Sequence, residues 1–113
     1  MTRAFDRLTL DRARARLAGA LSAYAYGVDE NELQAETRGT SAAALARQVA
    51  MYLAHVSFEM SISRVGVAFG RDRSTVAYAC RQIEDRRDDP AFDAMLCAFE
   101  DALRATPLPL SVS

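Results

Sequence analysis

Two short apolar patterns joined by a glycine constrain the fold of this chain more than any other feature. Between Ile62 and Phe69, apolar residues recur at helical spacing behind a Ser61 cap, and Gly70 suits the left-handed turn that ends such a helix. A second helix is predicted from Asp72, and its inward-facing stripe consists of Val76, Ala79, Cys80 and Ile83. Two helices joined by so short a turn are typical of a helix-turn-helix.

The outer face of the second helix carries side chains that are suited to hydrogen bonding with a nucleic acid. At about 100° per residue, Ser74, Tyr78 and Arg81 fall opposite the inner stripe. Arg71 and Arg73 lie at the start of the same helix. In a helix-turn-helix, this end of the second helix enters the major groove. The pattern therefore predicts a DNA-reading surface here.

Helical periodicity continues through the rest of the sequence, and no stretch alternates like a β-strand. Four further helices are predicted from about Leu8 to Tyr26, from about Glu30 to Ala35, from a Thr40 or Ser41 cap, and from an Asp89 cap with Pro90 in the first turn. The predicted inward-facing residues are Leu10, Leu17, Leu21, Tyr24 and Val28 in the first of these helices and Leu33 in the second. In the third helix they are Leu45, Val49, Tyr52, Leu53 and Val56. In the last helix they are Phe92, Met95, Leu96, Phe99 and Leu103.

These elements predict an all-α fold, a compact bundle of five or six helices that contains a helix-turn-helix. The length of 113 residues suits one domain with a single core. We expect that domain over residues 1–106, followed by a short disordered tail at 107–113, which begins with two prolines among three residues.

The charge of the chain is unevenly distributed. All fourteen basic residues are arginine, and the net charge is −1. Between Ser61 and Arg87, six arginines stand against three acids, whereas from Asp88 onward five acids stand against one arginine. A basic segment on a nearly neutral chain can contact phosphates, but it attracts DNA less strongly than a uniformly basic domain does.

Other sequence features argue against several functional classes. Cys80 and Cys97 are isolated, and we expect both to be reduced, buried and inert, with no metal site. His55 is the only histidine, so we expect a capping or surface role and no enzyme activity. A signal peptide, a membrane span and a phosphate-binding loop with lysine are all missing from the sequence, so we expect a cytoplasmic, nucleoid-associated protein without a cofactor or bound nucleotide.

Several sequence blocks in register resemble the C-terminal DNA-binding domain of the bacterial replication initiator DnaA. The resemblance covers about residues 22–104. Its anchors are residues 26–28, Leu33, Arg38 and residues 47–53, then 65–66, 69–72, 74–76 and 79–84, and the acidic, proline-containing start of the last helix. A single Phe-Gly-Arg would be weak support, but the blocks together are specific.

The resemblance implies a set of DNA-binding residues. The positions from which the family reads bases are occupied in this chain by Asp72, Arg73, Ser74 and Thr75. Positions implied to lie near bases or phosphates are Ile62, Ser63, Arg71, Tyr78 and Arg81, and positions implied to approach the DNA backbone are Arg38, Arg47 and Gln48. No catalytic residue and no metal ligand is implied.

Three departures from the family pattern indicate a different target sequence. The turn between Phe69 and Arg71 has one glycine, where the family usually has two. Arg73 stands where the family has histidine, and arginine pairs bidentately with guanine. Leu45 stands where the family has its minor-groove arginine. We therefore expect a related docking mode on a different site.

The function expected from the sequence is sequence-specific binding of double-stranded DNA by a bacterial transcriptional regulator, with RNA polymerase or a partner regulator as a further partner and with no membrane contact. Two alternatives stay open, a replication regulator that occupies initiator-like sites and a helical protein-interaction module that has lost DNA binding.

The role of the N-terminal arginines also stays open; a solvated face balanced by Asp6 and Asp11 is slightly favoured over contacts with phosphates or a partner. These arginines are Arg3, Arg7, Arg12, Arg14 and Arg16.

Overall fold

A central helix, α3, is the element against which every other helix packs. The computed structural model describes residues 6–35 and 40–110, and these residues form six α-helices. The helices are α1 (Arg7–Tyr26), α2 (Glu30–Gln34), α3 (Ser41–Ser57), α4 (Ile62–Phe69), α5 (Arg73–Arg86) and α6 (Pro90–Ala105). α3 contacts each of the other five. The predicted all-α bundle is confirmed. None of the six helices combines the length and apolar character needed to cross a membrane.

Local side-chain chemistry sets most of the helix ends. The Thr40 and Ser61 hydroxyls accept hydrogen bonds from the backbone N–H groups three residues later, as the sequence predicts. Gly27 and Gly70 end α1 and α4 in the left-handed conformation, with φ of 63° and 66°. Asp29 opens α2 with a reciprocal capping box. The helix boundaries therefore follow signals that are visible in the sequence.

Two main apolar clusters hold the bundle together. The larger joins α1, α3, α5 and α6, and its buried members are Ala18, Val49, Tyr52, Leu53, Ile83, Leu96 and Leu103. The second lies inside the helix-turn-helix and under the end of α3, and its members are Met51, Ala54, Met60, Val65, Val76 and Ala79. The predicted inner stripe of α5 is thus divided between the two clusters. Both clusters fix α5 from behind and leave its other face exposed.

The inward face of α1 differs from the one that its leucines predict. Tyr24 is 83% exposed and Leu17 is 36% exposed, so the expectation that both point into the core is wrong. The buried residues of α1 are instead mainly small: Asp11, Ala15, Ala18, Gly19, Ser22 and Ala23. α3 likewise buries small residues, namely Ala43, Ala46, Ala50 and Ala54. Small side chains let two helices approach closely, which turns the larger side chains of α1 to the edge of the contact.

A polar network around Arg87 ties the ends of α3, α5 and α6 together. Arg87 Nη1 donates to Glu100 Oε2 at 2.8 Å and to the Tyr52 hydroxyl at 3.0 Å, and Nε donates to Asp93 Oδ1. The Tyr52 hydroxyl donates in turn to Glu84 at 2.8 Å. Burial is the main cause that raises the pKa of Tyr52 to about 12, so the phenol stays protonated at neutral pH.

The two cysteines have different surroundings. Burial raises the pKa of the half-buried Cys80 thiol to about 11. Cys97 is exposed, so the expectation that both cysteines are buried is wrong for Cys97. It lies on the outer side of α6, where its Sγ accepts a hydrogen bond from Arg87 Nη2 at 3.2 Å.

The helix-turn-helix is closed by a contact that leaves no space for a side chain. A Cβ on Gly66 would lie 2.8 Å from the carbonyl oxygen of Arg71, a distance that side chains do not tolerate. The Arg71 N–H also donates to the Gly66 carbonyl at 2.9 Å. Gly66 therefore fixes how closely the turn folds back on α4.

We expect Arg87→Met to lower the free energy of unfolding by about 3 kcal/mol, because it leaves the buried Glu100 carboxylate without its partner. Urea denaturation monitored by circular dichroism measures the change. Arg86→Met is the matched control, since Arg86 is the adjacent and exposed residue of α5, and its change should stay within about 0.5 kcal/mol. Equal losses in the two variants would contradict a central role for Arg87.

We expect Gly66→Ala to destabilise the protein by about 1–3 kcal/mol, because the new methyl group meets backbone that cannot move aside. Gly19→Ala is the matched control. Its Cβ would meet only Leu33 Cδ1, at an ordinary 3.6 Å, so the higher helix propensity of alanine should stabilise α1 by about 0.5–1 kcal/mol. Thermal and urea unfolding of both variants give the comparison, and a neutral Gly66→Ala would show that the turn can relax.

Candidate nucleic-acid interface

Four consecutive polar side chains lie exposed at the start of α5. Asp72 is the N-cap of the helix, and Arg73, Ser74 and Thr75 form its first turn. Within the part of the chain that the structure describes, none of these four side chains makes a hydrogen bond or an ion pair. The four predicted base-reading residues are thus brought together on one exposed surface, at the end of the helix where the backbone dipole is positive.

The Asp72 carboxylate does not perform the capping role that its position suggests. The caps of α1, α2, α3 and α4 accept backbone hydrogen bonds, whereas Asp72 and Asp89, the cap of α6, make no side-chain cap bond. Only the backbone carbonyl of Asp72 takes part, accepting from the Val76 N–H at 3.1 Å. Among the described residues no group hydrogen-bonds to the carboxylate, which is exposed at the start of α5.

Arg47 and Arg71 converge on the C-terminal end of α2. Arg47 Nε donates to the Leu33 carbonyl at 2.9 Å, and Arg71 Nη2 donates to the Ala35 carbonyl at 2.8 Å and to that of Leu33 at 3.3 Å. Burial, followed by the positive charge of Arg71, lowers the pKa of the Arg47 guanidinium. Two side chains that the resemblance assigns to DNA contacts therefore also cap a helix, and they concentrate positive charge beside the turn.

The remaining predicted contact residues surround the start of α5. Tyr78 is 52% exposed on the outer face of α5, and Arg81 is exposed one turn further on. Ser63 is exposed at the start of α4, next to the half-buried Ile62. Gln48 of α3 is half-buried beside Arg47. Arg38 lies outside the described residues.

Two arginines of the basic segment are neutralised inside the fold. Arg64 forms an ion pair with the buried Asp11 of α1, at 2.9 Å from Nε and 2.5 Å from Nη2, and this pairing raises the pKa of Arg64. Arg87 is bound by Glu100 and Asp93. Asp11 thus pairs with α4 and does not balance the neighbouring arginines of α1 as expected. The excess of positive charge that faces outward is accordingly smaller than the sequence count indicates.

The remaining candidates are His55 and the side chains that could bind a metal ion. His55 Nδ1 lies 2.6 Å from the Met60 carbonyl, which can only accept, so this nitrogen carries the proton and His55 holds the loop after α3. This agrees with the expected capping role. Over residues 6–35 and 40–110, no three histidine, cysteine or acidic side chains form a group that could hold a metal ion.

We expect Arg47→Ala and Arg71→Ala each to lower the free energy of unfolding by about 1–2 kcal/mol in the absence of DNA, because each removes charged hydrogen bonds to α2. Arg73→Ala should change it by no more than about 0.5 kcal/mol, since that side chain is exposed and makes no such bond. Urea titrations of the three variants test this division, and a loss for Arg73→Ala as large as the others would contradict it.

Comparison with known proteins identifies the same segment. A family model described as the bacterial DnaA protein helix-turn-helix matches residues 21–83. The chain is 48% identical over 59 residues to chromosomal replication initiator protein DnaA 2 of Chlamydia muridarum, covering 50% of this chain and 13% of that protein. It is 49% identical over 41 residues to the chromosomal replication initiator protein DnaA of Tropheryma whipplei strain Twist, covering 36% and 9%. The chain thus spans only a small part of these relatives.

A structural likeness extends further along the chain. A crystal structure of a DNA replication initiation factor matches with a TM-score of 0.74 at 24% identity, covering 85% of this chain and 30% of that one. This likeness shows the fold. Since the family model covers more than half of the chain, including α3 and the helix-turn-helix, the chain belongs to the bacterial DnaA helix-turn-helix family.

Proposed function

We propose that this protein binds double-stranded DNA in a sequence-specific manner through α5. The observation that carries the proposal is the first turn of α5, where Arg73, Ser74 and Thr75 follow the uncommitted carboxylate of Asp72, all four exposed on a helix-turn-helix. In the major groove, arginine recognises guanine and a carboxylate recognises cytosine, while a hydroxyl group can bond to several bases. Family membership supports the same docking mode, since the relatives are chromosomal replication initiators.

A second set of side chains is proposed to contact the DNA backbone or the bases beside it. Arg81 and Tyr78 lie on the exposed face of α5, and Ser63 lies at the exposed start of α4, with Ile62 beside it. Arg71 lies in the turn before α5, Arg47 and Gln48 are neighbours on α3, and Arg38 completes the proposed set. In helix-turn-helix complexes the first helix crosses the backbone while the second enters the groove, so these positions suit phosphate contacts.

The distribution of acids supports one orientation of the domain. α6 packs against α3 through Leu96 and Leu103, and it carries Asp93, Glu100 and Asp101. Asp93 and Glu100 are paired with Arg87, so the unpaired carboxylates among the described residues of this region are those of Asp88 and Asp89, just before the helix, and of Asp101. Because carboxylates and phosphates repel each other, α6 is proposed to face away from the duplex.

The proposed cellular role is transcriptional regulation in a bacterium, with RNA polymerase or a partner regulator touching the surfaces that DNA leaves uncovered. The second candidate is a replication regulator that occupies initiator-like sites, and the names of the relatives favour it. Genome-wide occupancy combined with transcript profiling after deletion separates the two. Binding at promoters with matching changes in transcripts supports transcription, whereas occupancy of the replication origin with altered initiation timing supports replication.

Selection of bound sites from random duplex DNA tests DNA binding itself. The proposal requires one enriched motif, and the three departures from the family pattern lead us to expect that it differs from the initiator's site. Failure to enrich any motif with folded protein would favour the remaining alternative, a helical protein-interaction module that has lost DNA binding.

We expect Arg73→Ala to weaken binding to the selected site by about 1–3 kcal/mol and to relax preference at one base pair, because a bidentate arginine–guanine contact is lost. Arg81→Ala is the comparison on the same helix. It should weaken binding to all sequences alike. It should also lower the salt slope, the magnitude of the slope of the logarithm of the binding constant against the logarithm of the salt concentration, by about one, as the loss of one phosphate contact does. Repeated selection with each variant, and titrations at several salt concentrations, distinguish the two. An unchanged motif and affinity for Arg73→Ala would remove it from the base-reading set.

A further inference from the structure

Two exposed arginines of α1 lie next to the helix-turn-helix without taking part in it. Arg12 and Arg16 are one helical turn apart and both exposed. Together with Ala15 they line a surface depression whose other wall is formed by Gln34 of α2 and by Ala68 and Phe69 of α4. The two guanidinium groups therefore flank the end of the first helix of the helix-turn-helix.

Three other charged residues in or next to α1 have a defined role within the fold, and Arg7, in the first turn, borders a different depression beside Arg64 and Val67. Asp11 pairs with Arg64 of α4, and Arg14 stacks over the ring of Phe58, with Cζ 5.0 Å from its centroid. Asp6 accepts hydrogen bonds from Thr9 as the helix cap, and these bonds are the main cause that lowers its pKa, with the charge of Arg12 as the smallest cause. Arg12 and Arg16 make no ion pair or hydrogen bond with any described residue, so their charges face the solvent.

The position of these arginines connects them to the proposed reading surface. Gln34 lies between Leu33 and Ala35, the two residues whose carbonyls bind Arg71. Phe69 is only two residues before Arg71 in the chain. Arg12 and Arg16 thus approach the last turn of α2 from one side and Arg47 and Arg71 approach it from the other, and we call these four arginines the basic strip.

We propose that Arg12 and Arg16 contact phosphates of the DNA segment that flanks the site read by α5. These contacts lengthen the stretch of DNA that the protein covers on one side of that site. The inference rests on the proposed function, because it names a further part of the same interface. In helix-turn-helix complexes the first helix crosses the DNA backbone, so side chains beside the end of α4 lie over the continuing phosphate strand. Phosphate contacts add affinity without sequence information.

The test compares two duplexes, one cut at the edges of the selected motif and one extended by a helical turn on each side. For the extended duplex, Arg12→Ala and Arg16→Ala should each lower the salt slope by about one, and the double variant by about two, with an unchanged selected motif. For the short duplex, the variants should match the wild-type protein. Arg104→Ala removes the same charge from the exposed side of α6 and serves as the control, with an unchanged slope expected.

Replacement of both residues by lysine separates charge from packing. The Arg12→Lys and Arg16→Lys double variant should keep the wild-type slope on the extended duplex, because each ammonium group can replace the lost positive charge at a phosphate. A folded double-alanine variant with the wild-type slope on both duplexes would overturn the inference and assign the strip to a protein partner. Failure of the wild-type protein to bind any duplex would overturn the proposed function itself.

Discussion

The close approach of Gly66 to the Arg71 carbonyl is the constraint on which the proposed interface depends. A hydrogen atom at position 66 lets the turn fold back onto α4, and this sets the direction in which α5 leaves the turn. The same turn carries the Arg71 side chain to the last carbonyls of α2, where Arg47 arrives from α3. One short contact thus positions α5 and joins it to the two helices beside it.

Local signals in the sequence predict the elements of this fold well, because they act within a few residues. The caps at Thr40 and Ser61 and the left-handed turn at Gly70 depend on neighbouring backbone groups, so they can be read directly. The inner stripe of α5 follows from its spacing alone. The exposed start of α5 could likewise be predicted, since it lies opposite that stripe.

Features that depend on distant parts of the chain could not be predicted in this way. Asp11 and Arg64 pair across 53 residues of sequence, and no local pattern marks them as partners. Tyr24 looks like a core residue in its own helix, but α1 packs through its small residues instead. Met60 is fully buried although it lies in a loop, where periodicity gives no signal. Gly66 offered one available clue, because a glycine inside a helix costs stability and often marks a close contact.

The arginines of this chain divide into residues that hold the fold and residues that face outward, and this division bears on how the target site can change. Arg64 and Arg87 are neutralised by acids within the bundle, and Arg71 caps α2. Arg73 contributes no hydrogen bond or ion pair to the described part of the chain, so the fold places little demand on its identity. In the proposed interface, a change of residue at this position would therefore alter base preference while the scaffold stays intact.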